Sequence, residues 1–343
     1  MPIFLAGARP ARRKKWPRCG PRSSRRKKPS VMRENPPSNR RRTGGVNKGT
    51  VLCRLAVFIG TAFFPLIGCI TLAEPLPEIT VVARIADYRP AWRPIFRGVD
   101  FAQGRIPPPD PVAFYAARIS LRDPKVAFLV TPSNGDAPKE TDGSKTSAFL
   151  RQFHCQLAVN ASPFSPVEEG EGKPKDILGL SASRGDVYSR PHSGHGAMLI
   201  SKEKRVTFVE SPDEPPNVYD AVSGFGMLLK EGVNTGSGGP RHPRTAAGVS
   251  QDGRYLYLLV IDGRQPGYSV GATTQETAEW MRQLGAFNAI NLDGGGSSEM
   301  VLDDGQGNPV IVNRPIHNNV PGLERVNGNN LGVFAETLHQ EGR

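Results

Sequence analysis

The chain has 343 residues, 38% of them hydrophobic, which is enough for a real core and excludes wholesale disorder. Its formal net charge of +12 sits at one end: residues 1–54 hold 17 Lys or Arg against the single acid Glu34, a net of +16, leaving −4 on residues 55–343. The folded part is therefore mildly acidic, which excludes nucleic acid as its partner, since phosphate backbones demand clustered cations.

In chain order, the basic run leads directly into an apolar stretch, Leu55 to Leu72, with Phe58, Ile59, Phe63, Phe64, Leu66 and Ile67. A positive n-region followed by an apolar h-region and a small-residue cleavage site is the layout of an export signal. Thr71-Leu72-Ala73 offers such a site, with Glu74-Pro75 opening the mature chain. Leu66-Ile67-Gly68-Cys69 offers another: it resembles a bacterial lipobox, in which Cys69 is acylated and the acyl chain anchors the protein. A retained signal-anchor helix is the weaker alternative, because the stretch is near the lower limit of about 17–25 residues for a span and Pro65 interrupts it. Export to the periplasm, cell envelope or medium is expected, with membrane attachment through this segment or Cys69 left open. Residues 1–54 then form a basic tail or n-region, within which Met32 would be a more economical start, and residues 55–73 form the export signal. Of Cys19, Cys53, Cys69 and Cys155 only Cys155 lies in the mature domain, so no disulfide framework and no Cys metal site is expected there. Cys155 reads as a buried structural thiol.

Residues 74–111 are Pro-rich, with RPAWRP and RIPPPDP, and predict extended or turn structure around one short strand at Ile79–Arg84, ahead of a domain over 112–338. Strands then follow closely. Val112–Ser120 alternates loosely, and Lys125–Thr131 sets Val126, Phe128 and Val130 on one face against Ala127 and Leu129 on the other. A helix is predicted over Ser144–Phe153 with Ser144 as its cap, then a buried strand Leu157–Asn160. After a charged, Gly- and Pro-rich loop, short strands are predicted at Ile177–Ser181, Ala197–Ile200, Arg205–Val209 and Gly226–Leu229. The loop NTGSGGPRHPR leads into a strand Thr245–Ser250, and Asp252-Gly253 turns it into a returning strand Tyr255–Ile261. The long helix is Thr274–Leu284, with Thr274 as N-cap, Thr277 three positions on, and Gly285 as its stop. Strands at Ala289–Leu292, Met300–Leu302, Val310–Val312 and Leu331–Ala335 complete an α+β fold: a mixed, strand-rich sheet core with few helices, in a single domain.

Three segments carry polar clusters at strand ends. In AINLDGGGSSEMVL an apolar strand delivers Asn291 and Asp293, and Gly294, Gly295 and Gly296 precede Ser297 and Ser298. Consecutive glycines let backbone N–H groups converge into an anion-binding concavity, and the flanking carboxylate and hydroxyls favour a site over a bare turn. It is no Walker loop, since no Gly-Lys-Ser/Thr follows. RHPRTAAGV places Arg241, His242 and Arg244 before one strand, and LVIDGRQPG places Asp262 and Arg264 after its hairpin partner, so Arg244 and Asp262 are expected to be neighbours. A phosphate clamp and a structural Arg–Asp pair weigh equally there.

HPRTAAGV, LYLLVIDGR, TTQETAEWMRQLGA and FNAINLDGGGSSEMV, in this order and spacing, resemble the phosphodiester glycosidase family. LAVNASPFSP and AVSGFGMLLKEG upstream, and the tail VNRPIHNNVPGLERVNGNNLGVF, extend the resemblance over roughly Leu157 to Phe334. The chain departs from the pattern in NASPFSP, in the inserts around Glu168–Lys175 and Pro212–Pro216, and at Glu299, where a small hydroxyl residue is more usual. The resemblance implies an exported hydrolase that cleaves a sugar from a glycosyl-1-phosphodiester in envelope or extracellular polysaccharide metabolism. A phosphate monoester leaves readily, so such an enzyme must chiefly neutralise the phosphate and supply a carboxylate. The first task falls to Arg244 and Arg264 with the Gly294–Gly296 backbone beside Ser297 and Ser298, and the second to Asp293 or Asp262 as nucleophile or base. Asn160 and Asn291 would hold hydroxyls or orient the carboxylates. Of the loop histidines His192, His195 and His317, the last is best placed to reach the site. No cofactor and no zinc-type His pair is expected, while a divalent cation held by Asp293 and backbone carbonyls is left open. The alternative is a non-catalytic polysaccharide-binding envelope protein on the same scaffold, which would have lost a carboxylate or an Arg that this chain keeps.

Overall fold

A computed structural model of the chain describes residues 76–135, 138–167, 170–210 and 218–338. The basic tail, the export signal, Cys69 and both cleavage options lie outside these residues. So do the whole of the second insert and part of the first.

The frame is a nine-stranded sheet. Its order is Thr80–Val81, Val99–Ile106, Val112–Ser120, Tyr255–Ile261, Arg244–Val249, Asn288–Asn291, Met227–Lys230 and Val233–Asn234, with Arg93–Phe96 paired to Val99–Ile106 off this path. A five-stranded sheet orders Pro309–Ile311, Met300–Asp303, Leu157–Asn160, Asn330–Phe334 and Ala127–Val130. Another places Asp220–Gly224 between Ser181–Ser183 and Gly196–Ile200, and a small three-stranded sheet centres on Pro174–Ile177.

Apolar residues on both faces of the large sheet explain the layering. From Val112–Ser120, Ala113, Tyr115, Ala117 and Ile119 enter a core shared with the two five-stranded sheets, beside Val130, Leu157, Val159, Met198 and Val222. Val112, Phe114 and Ala116 face the other way, onto the helix on the large sheet's outer side, Thr274–Leu284, through Trp280, Met281 and Leu284. The loose alternation of that strand is thus the signature of burial on both sides. Tyr88, from the Pro-rich segment, closes the outer core against Phe114 and Trp280, whose ring centroids are 4.1 Å apart. A shorter helix, Thr146–Phe153, lays Phe149 and Leu150 on Leu129, Ala158 and Val301, each buried side chain contributing about 1.5–3 kcal/mol.

Three expectations need correction. The Pro-rich segment holds more than one short strand: Arg93–Phe96 and the eight-residue Val99–Ile106 join the large sheet. The predicted strand Ile177–Ser181 is broken between Pro174–Ile177 and Ser181–Ser183, because Gly179 takes φ 110° where a Cβ would lie 2.6 Å from that of Ser223. Both caps shift by one residue. Lys145 takes the N-cap position of Thr146–Phe153 without a side-chain bond, while the Ser144 hydroxyl donates to the Lys145 carbonyl. Thr273, not Thr274, caps the long helix, because Glu276 can reciprocate: Glu276 N–H donates to Thr273 Oγ1 at 3.0 Å and Thr273 N–H to Glu276 Oε2 at 2.8 Å. Cys155 is a buried free thiol whose pKa burial pushes up to about 12, as its structural reading requires.

Candidate active site

The site forms where the large sheet meets the five-stranded sheet whose central strand ends at Asn160. Asn160 Oδ1 accepts from Thr245 Oγ1 at 2.7 Å and from the Glu299 N–H at 3.1 Å, and its Nδ2 donates to the Asp293 carbonyl at 2.6 Å. One buried amide thus rivets both ends of the glycine turn to two sheets. Asn160 is therefore a brace of the Asp293 turn, the orienting one of the two roles expected of it. The Asp293 N–H donates to Ala161 O and the Gly295 N–H to Pro243 O, both at 2.9 Å, which fixes the turn's backbone.

The turn floors an open cavity of about 310 Å³ lined by Phe225, His242, Arg244, Arg264, Asn291, Asp293, the three glycines and Arg325. Glycine is required underneath: a Cβ on Gly296 would lie 2.5 Å from Arg325 Nη2, and Gly295 takes φ 65° beneath the Arg264 guanidinium. Arg325 is held by donating from Nε to His317 Nδ1 at 3.1 Å and from Nη1 to Ser297 Oγ at 3.2 Å. Arginine only donates, so that ring nitrogen of His317 is unprotonated. Arg244 donates from Nε to the Ala272 carbonyl at 2.9 Å, and Arg264 reaches His242 Nδ1 at 3.3 Å.

Among the described residues none of Arg244, Arg264 and Arg325 makes an ion pair, and Asp293 is the one carboxylate lining the cavity. Burial and the neighbouring Arg264 hold the pKa of Arg244 and of Arg325 below the ordinary guanidinium value. His242 is likewise lowered, by burial and then by Arg264 and Arg244. Burial raises Asp293 to about 6, against the Ser297 hydroxyl, Arg325 and the Gly294 N–H, which favour its charged form. A site with three unmatched guanidiniums and one carboxylate is short of negative charge. A roomier depression beside Trp280 has no such demand, since its Arg241 is already paired with Asp110 and Glu276.

The structure thus gathers Asp293, Arg244, Arg264, Asn291 and Gly294–Gly296 around one cavity, with Ser297 beneath it. Asn291 Oδ1 is a buried acceptor that no donor among the described residues reaches. Ser298 lies behind the turn, its carbonyl taking Asn313 Nδ2. His317 acts on the cavity through Arg325. Asp262 is not brought together with Arg244. Arg244 pairs in register with Ile261, so Asp262, one residue on, points to the opposite face of the sheet. There it accepts from Asn313 Nδ2 at 2.9 Å, the Arg314 N–H and Tyr268 Oη. Asp262 is not among the residues that line the cavity around Asp293. His242, named in the polar cluster before its strand but given no role, also lines the cavity, and so do Arg325 and Phe225, which the sequence did not single out; the sequence signal for Phe225 is an aromatic flanked by two glycines, 51% exposed at the cavity rim.

The model of the phosphodiester glycosidase family matches residues 153–334. The chain belongs to the phosphodiester glycosidase family. All ten cavity residues fall within the matched span. The catalytic domain of the zebrafish N-acetylglucosamine-1-phosphodiester alpha-N-acetylglucosaminidase, a structure auto-inhibited by its pro-peptide, is similar in fold at 19% identity and TM-score 0.54, covering 74% of this chain and 87% of that one. A hypothetical protein from Synechocystis is similar at 16% identity and TM-score 0.51, covering 70% of this chain; the present chain spans 62% of that protein's length. No curated protein matches the chain in sequence. At these identities the structural likenesses carry the fold alone, and the family match carries a glycosidase-type function.

Proposed function

We propose that the protein hydrolyses a sugar-1-phosphodiester, with Asp293 at the sugar carbon and Arg244, Arg264 and Arg325 on the phosphate. The observation that supports this reading most is the trio of unpaired guanidiniums over a glycine floor around a single carboxylate. The bond broken is that between the anomeric carbon and the phosphate oxygen. Its electron pair leaves with the phosphate, whose growing charge the three guanidiniums meet in fixed positions. No separate acid is needed for so good a leaving group. Asp293 steadies the positive charge at the sugar carbon and takes the proton of the attacking water; a carboxyl raised to about 6 is suited to that transfer near neutral pH. Asn291 Oδ1 accepts from a sugar hydroxyl, Phe225 offers an exposed ring for the sugar's apolar face, and Ser297 links Asp293 to Arg325. Asp262 takes a positioning role, holding Asn313 and Arg314 behind the turn. The basic-then-apolar start supports export and action in the cell envelope or outside it.

The test is to incubate the purified protein with a panel of sugar-1-phosphodiesters and assay released sugar and phosphate monoester. Turnover of at least one, lowered by phosphate-site arginine variants, is expected. Binding of these ligands without turnover would support the polysaccharide-binding alternative instead. Edman sequencing of the cell-fractionated protein checks export, and an intact N-terminus in the cytosol would count against it.

A further inference from the structure

We propose that Glu299, Glu324 and Asn327 form a binding site for a hard divalent cation, calcium in size and chemistry, behind the catalytic turn. Both carboxylate oxygens of Glu299, Oε1 of Glu324 and Oδ1 of Asn327 are buried acceptors that no donor among the described residues reaches. Glu299 and Asn327 are each 1% exposed. Thr146 lies between Glu299 and Asn327. Its hydroxyl lies beside the Glu299 carboxyl, which also faces Glu324, and accepts from Asn327 Nδ2 at 3.2 Å. That hydroxyl spends its own proton on Asn330 Oδ1 at 2.9 Å, so it cannot satisfy Glu299. Lys145 acts on Glu299 through its charge but makes no ion pair with either carboxylate.

The rival explanation is a single proton shared by the two acids. A proton shared between the acids engages one oxygen of each, and would leave the second Glu299 oxygen and the Asn327 amide oxygen still without partners. One dication meets all four oxygens at once and cancels both charges. Oxygen ligands of mixed charge in irregular arrangement suit calcium, which takes about 6–8 of them, better than magnesium, which demands a near-ideal octahedron. Glu324 is only partly buried, so water can complete the shell. The Glu299 N–H holds Asn160, and Glu324 adjoins Arg325, so the cation would brace the Asp293 turn and the phosphate clamp together.

The experiment needs no catalytic readout. The whole protein is dialysed against a chelator, then titrated with calcium chloride alone by calorimetry and melted with and without it. One site is expected, with Kd on the order of 10⁻⁴ to 10⁻³ M, and a melting temperature raised by about 5 °C at roughly fiftyfold excess over Kd. Glu299→Gln and Glu324→Gln, which keep side-chain shape, should fold and lose both responses, while magnesium chloride should give a smaller shift. A wild-type protein with no heat and no shift, or a Glu299→Gln variant that responds like wild type, would overturn the site. A wild type silent to calcium together with a stable Glu299→Gln would identify the shared proton.

Discussion

At the scale of single residues, the cavity separates groups that do chemistry from groups that hold them. Asp293→Asn keeps shape and removes charge; turnover should fall about 10³-fold or more while the melting temperature holds or rises, because burial opposes the ionised form. A loss under about tenfold would demote Asp293 to a supporting residue. The separate faces of Arg244 and Asp262 make a paired prediction. Arg244→Lys replaces a planar fork with a point charge, losing one charge-assisted hydrogen bond of about 1.5–3 kcal/mol, so kcat/KM should drop roughly 10- to 100-fold with little change in melting. Asp262→Ala orphans Asn313 Nδ2, the Arg314 N–H and Tyr268 Oη, and should cost about 3 kcal/mol or more of stability. Equal melting losses in the two variants, with activity intact in Arg244→Lys, would restore the ion-pair reading that the register argues against.

At the scale of elements, the capping box and the glycine floor give tests with opposite readouts. Thr273→Ala should lower stability by about 1 kcal/mol and leave KM alone, since the box caps a helix on the outer core. Thr274→Ala, the substitution the sequence would have chosen, should instead loosen the loop at Ser237, whose carbonyl the Thr274 hydroxyl holds at 2.9 Å. Gly296→Ala pushes Arg325 off its place and should raise KM in a protein that still folds. The same elements show what could be read in advance. Leu157–Asn160 and Tyr255–Ile261 were legible to the residue because they are short apolar runs between polar turns. Val99–Ile106 was not, because Asp100, Gly104 and Arg105 break its pattern for tertiary reasons. Asp100 pairs with Arg118 across the strands at 2.7 Å, and a Cβ on Gly104 would lie 2.3 Å from Phe114 Cζ. The Asp293 turn was legible from its own composition, whereas Arg325 joins the site only through contact with Gly296, Ser297 and His317.

At the scale of the whole molecule, burial sets stability and activity against each other as pH falls. Asp220, Asp262 and Asp293 are each raised to about 6, in every case chiefly by burial, from an unfolded value of about 3.9. Between those values the folded chain binds the extra protons, so ionising these groups weakens the fold as pH rises through about 6, and stability should grow on acidification from pH 7 to about 5. His242 opposes this, since its lowered pKa makes the folded state bind fewer protons, but it is one imidazole against three carboxylates. Carboxylates held low by neighbouring donors, such as Asp123 and Glu336, act only as pH falls below about 4, where their contribution is lost. Melting temperature should therefore rise from pH 7 to about 5 and then fall. Activity should run the other way over the first interval, because Asp293 accepts a proton only when ionised, so kcat/KM should decline below about pH 6. Circular-dichroism melts and initial rates across the same buffers test both curves. A melting temperature that falls steadily from pH 7 would remove the burial argument, and full activity at pH 5 would remove Asp293 as the base.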